Sequence, residues 1–273
     1  MLLGRAPERA RIDQLLSDAR GGTSGAAIIV GEPGIGKTAL LHYAVDRADG
    51  MAVLSARGVE LEAEVAFSGL LELLRPVLDL VDDIPGPQAA ALRGALALGP
   101  AAETERFNVG AATLSILAAR AEKEPLLVVV DDAHWLDDSS AAALLFATRR
   151  FVADPIVILI ACRASSNPAL ETAALPQMVV DGLGREAATA LVERHARRAV
   201  PAGITERLFR ATAGNPLALV ELAAQTPRLG VDLPEGHVPL ETSPVQRRCR
   251  RGDDEATLPL GRELVSELIG PNQ

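Results

Sequence analysis

Eight residues, Gly31-Glu32-Pro33-Gly34-Ile35-Gly36-Lys37-Thr38, have the spacing G-x-x-x-x-G-K-[ST]. That pattern suits a polyphosphate. Glycines admit positive φ and let the backbone come close to a ligand. Successive N–H groups can then turn inward as an anion cradle, and a helix starting near Gly36 aims the positive end of its dipole at the same phosphates. Lys37 can reach the β- and γ-phosphates, and Thr38 offers a hydroxyl to Mg²⁺. Gly34-x-Gly36-x-x-Ala39 also fits a dinucleotide fingerprint. That fingerprint wants an acid about 20 residues on, and Val53–Arg57 offers none, although Arg57 could face a 2′-phosphate.

The complementary chemistry stands at Asp131-Asp132, directly after the apolar run Leu126–Val130. Asp131 supplies a hard oxygen for Mg²⁺ beside Thr38. Asp132 can accept a proton from an attacking water. The same pair could instead cap the next helix or loop, but the complete phosphate motif upstream favours the metal role. Arg163 comes after another apolar run, Ile156–Ala161, and could read a γ-phosphate and report its loss; the plainer reading is a solvated loop arginine. In Gly214-Asn215-Pro216-Leu217, Gly closes one helix, Asn caps the next and Pro opens it. A functional reading adds Pro216 packing on an adenine ring from a helical lid.

Several other chemistries are excluded. The four histidines, His42, His134, His195 and His237, make no metal-ligand spacing, and there is no G-x-S-x-G. Cys162 and Cys249 give no disulfide framework, which fits a cytoplasmic setting. A net charge of −9 disfavours general nucleic-acid binding. No signal-peptide pattern opens the chain, and the longest apolar runs are too short to span a bilayer.

These residues need a frame to hold them. Ala26–Val30, Leu126–Val130 and Ile156–Ala161 are uninterrupted apolar runs, as expected of strands buried on both faces of a parallel sheet. A further strand is expected at Met51–Ser55. Ligands of open α/β sheets bind outside the carboxyl ends of such strands, where both the phosphate motif and the acidic pair fall. Helices are expected before the first strand (Ile12, Leu15, Leu16, Ala19 on one face), after the phosphate motif (Leu40, Leu41, Ala44, Val45), and over 60–122. There the expected apolar faces are Phe67, Leu70, Leu71, Leu74, Leu78 and, further on, Phe107, Ala111, Leu114, Ala118. Asp137 and Asp138 are expected to cap a helix over Ser139–Ala147. The fold class is therefore α/β, a parallel sheet flanked by helices. Residues 1–183 form its core, 184–226 a small helical lid subdomain and 227–273 an irregular tail. Arg247-Arg248-Cys249-Arg250-Arg251 stands in the tail, and one short helix is expected over 263–269. No fixed-period repeat is present.

With these residues in place, the chain resembles the STAND branch of AAA+-like P-loop NTPases. More narrowly, it is similar to the N-terminal ATPase region of large LuxR-type bacterial regulators related to MalT. The similarity rests on Leu3-Gly4-Arg5 with Glu8, Gly31–Thr38, Ala66–Leu78, Leu126–Asp138, Ile158–Arg163 and Gly214–Leu217. It implies that ATP/ADP acts as a switch, ADP holding a closed state and an inducer with ATP favouring an open, self-associating one. It also implies that Gly4-Arg5 lies near the adenine and that Pro216 is the lid proline. No arginine finger stands out, though Arg149 or Arg150 could serve. The relatives continue into a winged helix, a sensor and a helix-turn-helix. Nothing after Leu217 resembles these, so the chain is expected to be a truncated regulator or a stand-alone module, without specific DNA binding of its own. The expected activity is slow Mg²⁺-dependent hydrolysis of the β–γ phosphoanhydride. The alternative is a nucleotide-dependent scaffold that acts only through a protein partner.

Overall fold

The computed structural model describes residues 2–99, 106–163, 174–196 and 200–225. The expectations for the tail, including the arginine run and the short helix, lie outside those residues. The described residues fall into two compact units: those of 7–32 with 40–180, and those of 2–6 with 33–39 and from Asp181 onward.

The first unit is built on a five-stranded parallel sheet: β1 (Gly25–Gly31), β2 (Ala52–Arg57), β3 (Leu126–Asp131), β4 (Ile156–Cys162) and β5 (Gln177–Val180), in the order β2-β3-β4-β1-β5. The registers Val30↔Cys162, Val130↔Ile160 and Arg57↔Asp131 bring the strand ends level. The three apolar runs form β1, β3 and β4, the central strands, because only there are both faces covered: every residue of β4 is buried. β5 is an addition to the expected strands. It is four residues long, sits at an edge and alternates exposed and buried. Its pairing starts where the Ile28 N–H donates to the Pro176 carbonyl, 2.9 Å away.

Helices flank the sheet. α1 (Ala6–Arg20) buries Ile12, Leu15, Leu16 and Ala19 as its spacing requires. Asp13 on α1 accepts from the Tyr43 hydroxyl at 2.8 Å and pairs with Arg47 at 3.2 Å, tying α1 to the helix after the phosphate motif, α2 (Lys37–Asp46). One sheet face is covered by a core from α3 (Ser68–Leu74), α4 (Gly86–Ala95), α5 (Arg106–Ala121) and α6 (Asp138–Thr148).

Two predicted helix faces are corrected. Leu70 and Leu74 are buried as expected, but after Leu74 the chain tightens into a 3-10 stretch over Arg75–Asp83, so the buried positions beyond it are Val77, Leu80 and Val81, with Phe67, Leu71 and Leu78 only half-buried. Pro76 lacks the N–H an α-helix would use there, and three residues per turn shift the phase of everything downstream. In α5 the buried face is Val109, Ala112, Ile116 and Leu117, while Phe107 is 63% exposed and meets Phe146 edge-on at 5.3 Å. Val45 on α2 is likewise on the exposed side.

The described helices of the second unit are α7 (Arg185–His195), α8 (Ala202–Thr212) and α9 (Pro216–Gln225). They pack around Leu183, Ala188, Leu191, Val192, Leu208, Leu219 and Val220.

Candidate functional site

Gly31 ends β1, and Pro33–Thr38 of the motif belong to the second compact unit. Gly34 (φ +75°) and Gly36 (φ +105°) take left-handed conformations that a side chain would strain. At Gly34 there is also no room: a Cβ would stand 2.8 Å from the Leu217 Cβ. Lys37 is the first residue of α2 and only 8% exposed; Thr38 beside it is half-buried. Ile35 is buried, and Glu32 and Pro33 are exposed.

The loop is gripped from two directions within its unit. Arg5, 5% exposed, donates from Nη2 to the Ile35 carbonyl at 2.9 Å. Asn215 Nδ2 donates to the Pro33 carbonyl at 2.9 Å, and the Leu217 N–H donates to the Gly34 carbonyl at 3.3 Å. Asn215 is also the cap the sequence suggests, its Oδ1 accepting from the N–H groups of Leu217 and Ala218 at 3.1 and 3.3 Å. Gly214 lies just past the end of α8 at φ +75°, and Pro216 opens α9. Arg5, Ile35, Gly36 and Pro216 line one cleft with Leu191, Arg194 and His195. Arg5 and Pro216 are thus brought together with the phosphate loop.

In the sheet unit, Gly31, Asp131 and Cys162 end β1, β3 and β4 at the same edge of a parallel sheet, β4 lying between the other two. Arg163 leaves β4 at that edge, its guanidinium 5.9 Å from the centre of the Trp135 ring. Asp131 is half-buried, and its Oδ1 accepts the Asp132 N–H at 2.9 Å. Asp132 adopts a left-handed conformation (φ 47°, ψ 38°), which a short polar side chain tolerates better than a bulky one. Its Oδ2 accepts from Arg57 Nε and Nη2 at 3.0 and 2.8 Å. That hydrogen-bonded carboxylate, together with the nearby Asp131 and Glu72 charges, raises the Arg57 pKa further above its ordinary value against the cost of partial burial. Arg57 faces an acid here, and the strand pairing that sets Arg57 opposite Asp131 is the reason.

Asp137 anchors the same segment. It is 2% exposed and caps α6 by accepting the Ser140 N–H at 2.9 Å. It also accepts the N–H groups of Phe67 (2.8 Å) and Gly69 (3.2 Å). Asp138 is the first residue of α6. Arg149 lies at the opposite end of the strands, near Gly25 and Ile156, and Arg150 stacks on Phe146 at 3.5 Å.

Two pairings are not evident in the sequence. The motif spacing sets Arg57 only against a phosphate, although its place at a strand end beside an acidic strand end is visible in outline. Asn215 reads as a cap, and no local signal pairs it with a residue 182 positions away.

An AAA ATPase domain profile matches residues 1–160. The chain belongs to the AAA ATPase domain family. It is a P-loop NTPase and a nucleotide-binding module. A Walker-type ATPase of Pyrococcus abyssi shares the fold, with a TM-score of 0.52 at 15% identity over 84% of this chain and 69% of that one. A RuvB point mutant from Thermotoga maritima aligns with a TM-score of 0.49 at 14% identity, over 83% of this chain and 63% of that one. A signal-transduction ATPase with a tetratricopeptide-repeat sensor from Pyrococcus horikoshii gives 0.47 at 21% identity, over 76% of this chain and 28% of that one. This AAA ATPase domain therefore spans less than two thirds of the RuvB and sensor-bearing chains. No curated protein matches the sequence. Among the described residues no helix is long and apolar enough to cross a membrane.

Proposed function

We propose that this AAA ATPase domain is an ATP/ADP switch of the STAND kind, the signal-transduction module of a LuxR-type regulator, with slow hydrolysis of the β–γ phosphoanhydride. The observation that carries the reading is the enclosure of the phosphate loop. Arg5, Asn215 and Leu217 hold its carbonyls, and Pro216 opens onto the same cleft. A nucleotide that orders the loop would thus act on the start of α9, which is what a switch requires.

Each residue has its own part. Lys37, buried at the start of α2, neutralises charge on the β- and γ-phosphates. Arg5 and Pro216 face the base. The hydroxyl of Thr38 and the carboxylate of Asp131 would hold Mg²⁺ as hard oxygen donors, and the ion would draw charge from the phosphate oxygens when bound. Asp132 accepts the proton of the attacking water, and Arg163 reads the γ-phosphate. Self-association in the ATP state and an inducer or protein partner belong to the same reading.

A second reading, a nucleotide-dependent scaffold without turnover, is favoured by one observation: the carboxylate assigned as base is already engaged by Arg57. Phosphate release from Mg²⁺–ATP distinguishes the two. Turnover above a Lys37→Ala control that falls ~10²-fold in Asp132→Asn supports the hydrolytic switch. Wild type at the level of that control supports the scaffold.

A further inference from the structure

We propose that Asn215 is a positioning residue for the phosphate loop, its side-chain amide fixing the peptide planes whose N–H groups receive the phosphates. The inference rests on the nucleotide-binding reading and adds a residue to it.

An N-cap needs only an acceptor. Ser, Thr and Asp supply one about as well as Asn. Asn alone brings a second, donating group on the same side chain. Here the acceptor Oδ1 caps α9, and the donor Nδ2 reaches the Pro33 carbonyl at 2.9 Å. The side chain is 6% exposed, so water does not compete freely for either bond. The next carbonyl, Gly34, is held by the Leu217 N–H, and Leu217 approaches Gly34 too closely for any side chain there. Two successive loop carbonyls are therefore tied to the start of α9. The peptide unit is planar and trans, so the N–H groups of Gly34 and Ile35 must point the opposite way from those carbonyls. Donors fixed before the ligand arrives bind it without an ordering cost.

Asn215→Ser separates the two roles: the hydroxyl still caps α9 but cannot reach Pro33. Affinities for ATP, ADP and adenosine are measured by calorimetry in Mg²⁺ buffer, alongside thermal melting, for wild type, Asn215→Ser, Asn215→Asp and Lys37→Ala. ATP and ADP are expected to bind about tenfold more weakly to Asn215→Ser, the loss of roughly one well-made hydrogen bond. Adenosine affinity should stay near wild type, and melting should fall only by the few degrees that the loss of one hydrogen bond accounts for. Asn215→Asp, which also caps but cannot donate, should lose at least as much, and it carries the test if the serine variant does not fold. Wild-type affinity for ATP and ADP in either folded variant overturns the inference. So does an equal loss for adenosine, which would place the effect on the base side. A folded wild type that binds neither ATP nor ADP, indistinguishable from Lys37→Ala, would instead refute the nucleotide-binding reading beneath it.

Discussion

Asp137 should be among the most costly polar residues to remove from the sheet unit. Its carboxylate accepts three backbone N–H groups, from Phe67, Gly69 and Ser140, with the Ser68 hydroxyl more distant at 3.4 Å. Phe67 is the N-cap of α3, so its N–H has no intrahelical partner. Hydrogen bonds to a charged group contribute about 1.5–3 kcal/mol each. They do not add fully, because water can enter part of the vacated space. Asp137→Ala should therefore destabilise by about 3–5 kcal/mol, within the range for breaking a buried network. Asp137→Asn keeps one oxygen and can satisfy Phe67 and Ser140, but it turns an NH₂ toward Gly69; about 1–2 kcal/mol is expected. Urea unfolding followed by far-UV circular dichroism gives the comparison. The single tryptophan, Trp135, stands two positions before Asp137 and reports on that segment by fluorescence. A loss below about 1 kcal/mol for Asp137→Ala would refute the claim that this carboxylate fastens the chain after β2 to the acidic segment.

Other outcomes can be measured on the same protein. Pro216→Ala should weaken ATP and ADP together, since Pro216 shares a cleft with Arg5 and Ile35; a fall in melting temperature with unchanged affinity would assign it to opening the helix alone. Burial raises the Glu221 pKa, so the folded state favours the neutral acid, and the stability tied to that proton is lost as pH rises through the raised pKa. Glu221→Gln should therefore melt higher than wild type at neutral pH, with the gap closing as pH falls toward the carboxylate range. Fluorescence anisotropy with mixed DNA fragments at two salt concentrations should show at most weak, salt-sensitive binding. Sequence-selective binding that survives the higher salt would reveal a reader outside the described residues.

What can be read from the sequence depends on how local each signal is. The phosphate motif and the three central strands declare themselves in short windows, because a strand buried on both faces must be apolar throughout. β5 is half exposed and only four residues long, so no such run marks it. The phase of α5 is obscured because alanines surround the helix and one aromatic, Phe107, finds its partner Phe146 while remaining exposed. The phase after Leu74 is obscured because a proline imposes a tighter helix. At the site, the motif residues are legible and their partners are not. Arg57 meets Asp132 across 75 positions and Asn215 meets Pro33 across 182. Only the strand order and the packing of α9 bring those pairs together.

In the proposed switch, the loop from Gly31 to Thr38 binds adenine nucleotide through Lys37. Titration of a fluorescent ATP analogue into wild type and Lys37→Ala, both shown to be folded by circular dichroism, tests it most directly. Saturable binding to wild type, displaced by unlabelled ATP and largely lost in Lys37→Ala, is the predicted result. Equal affinity in the two folded proteins would contradict it.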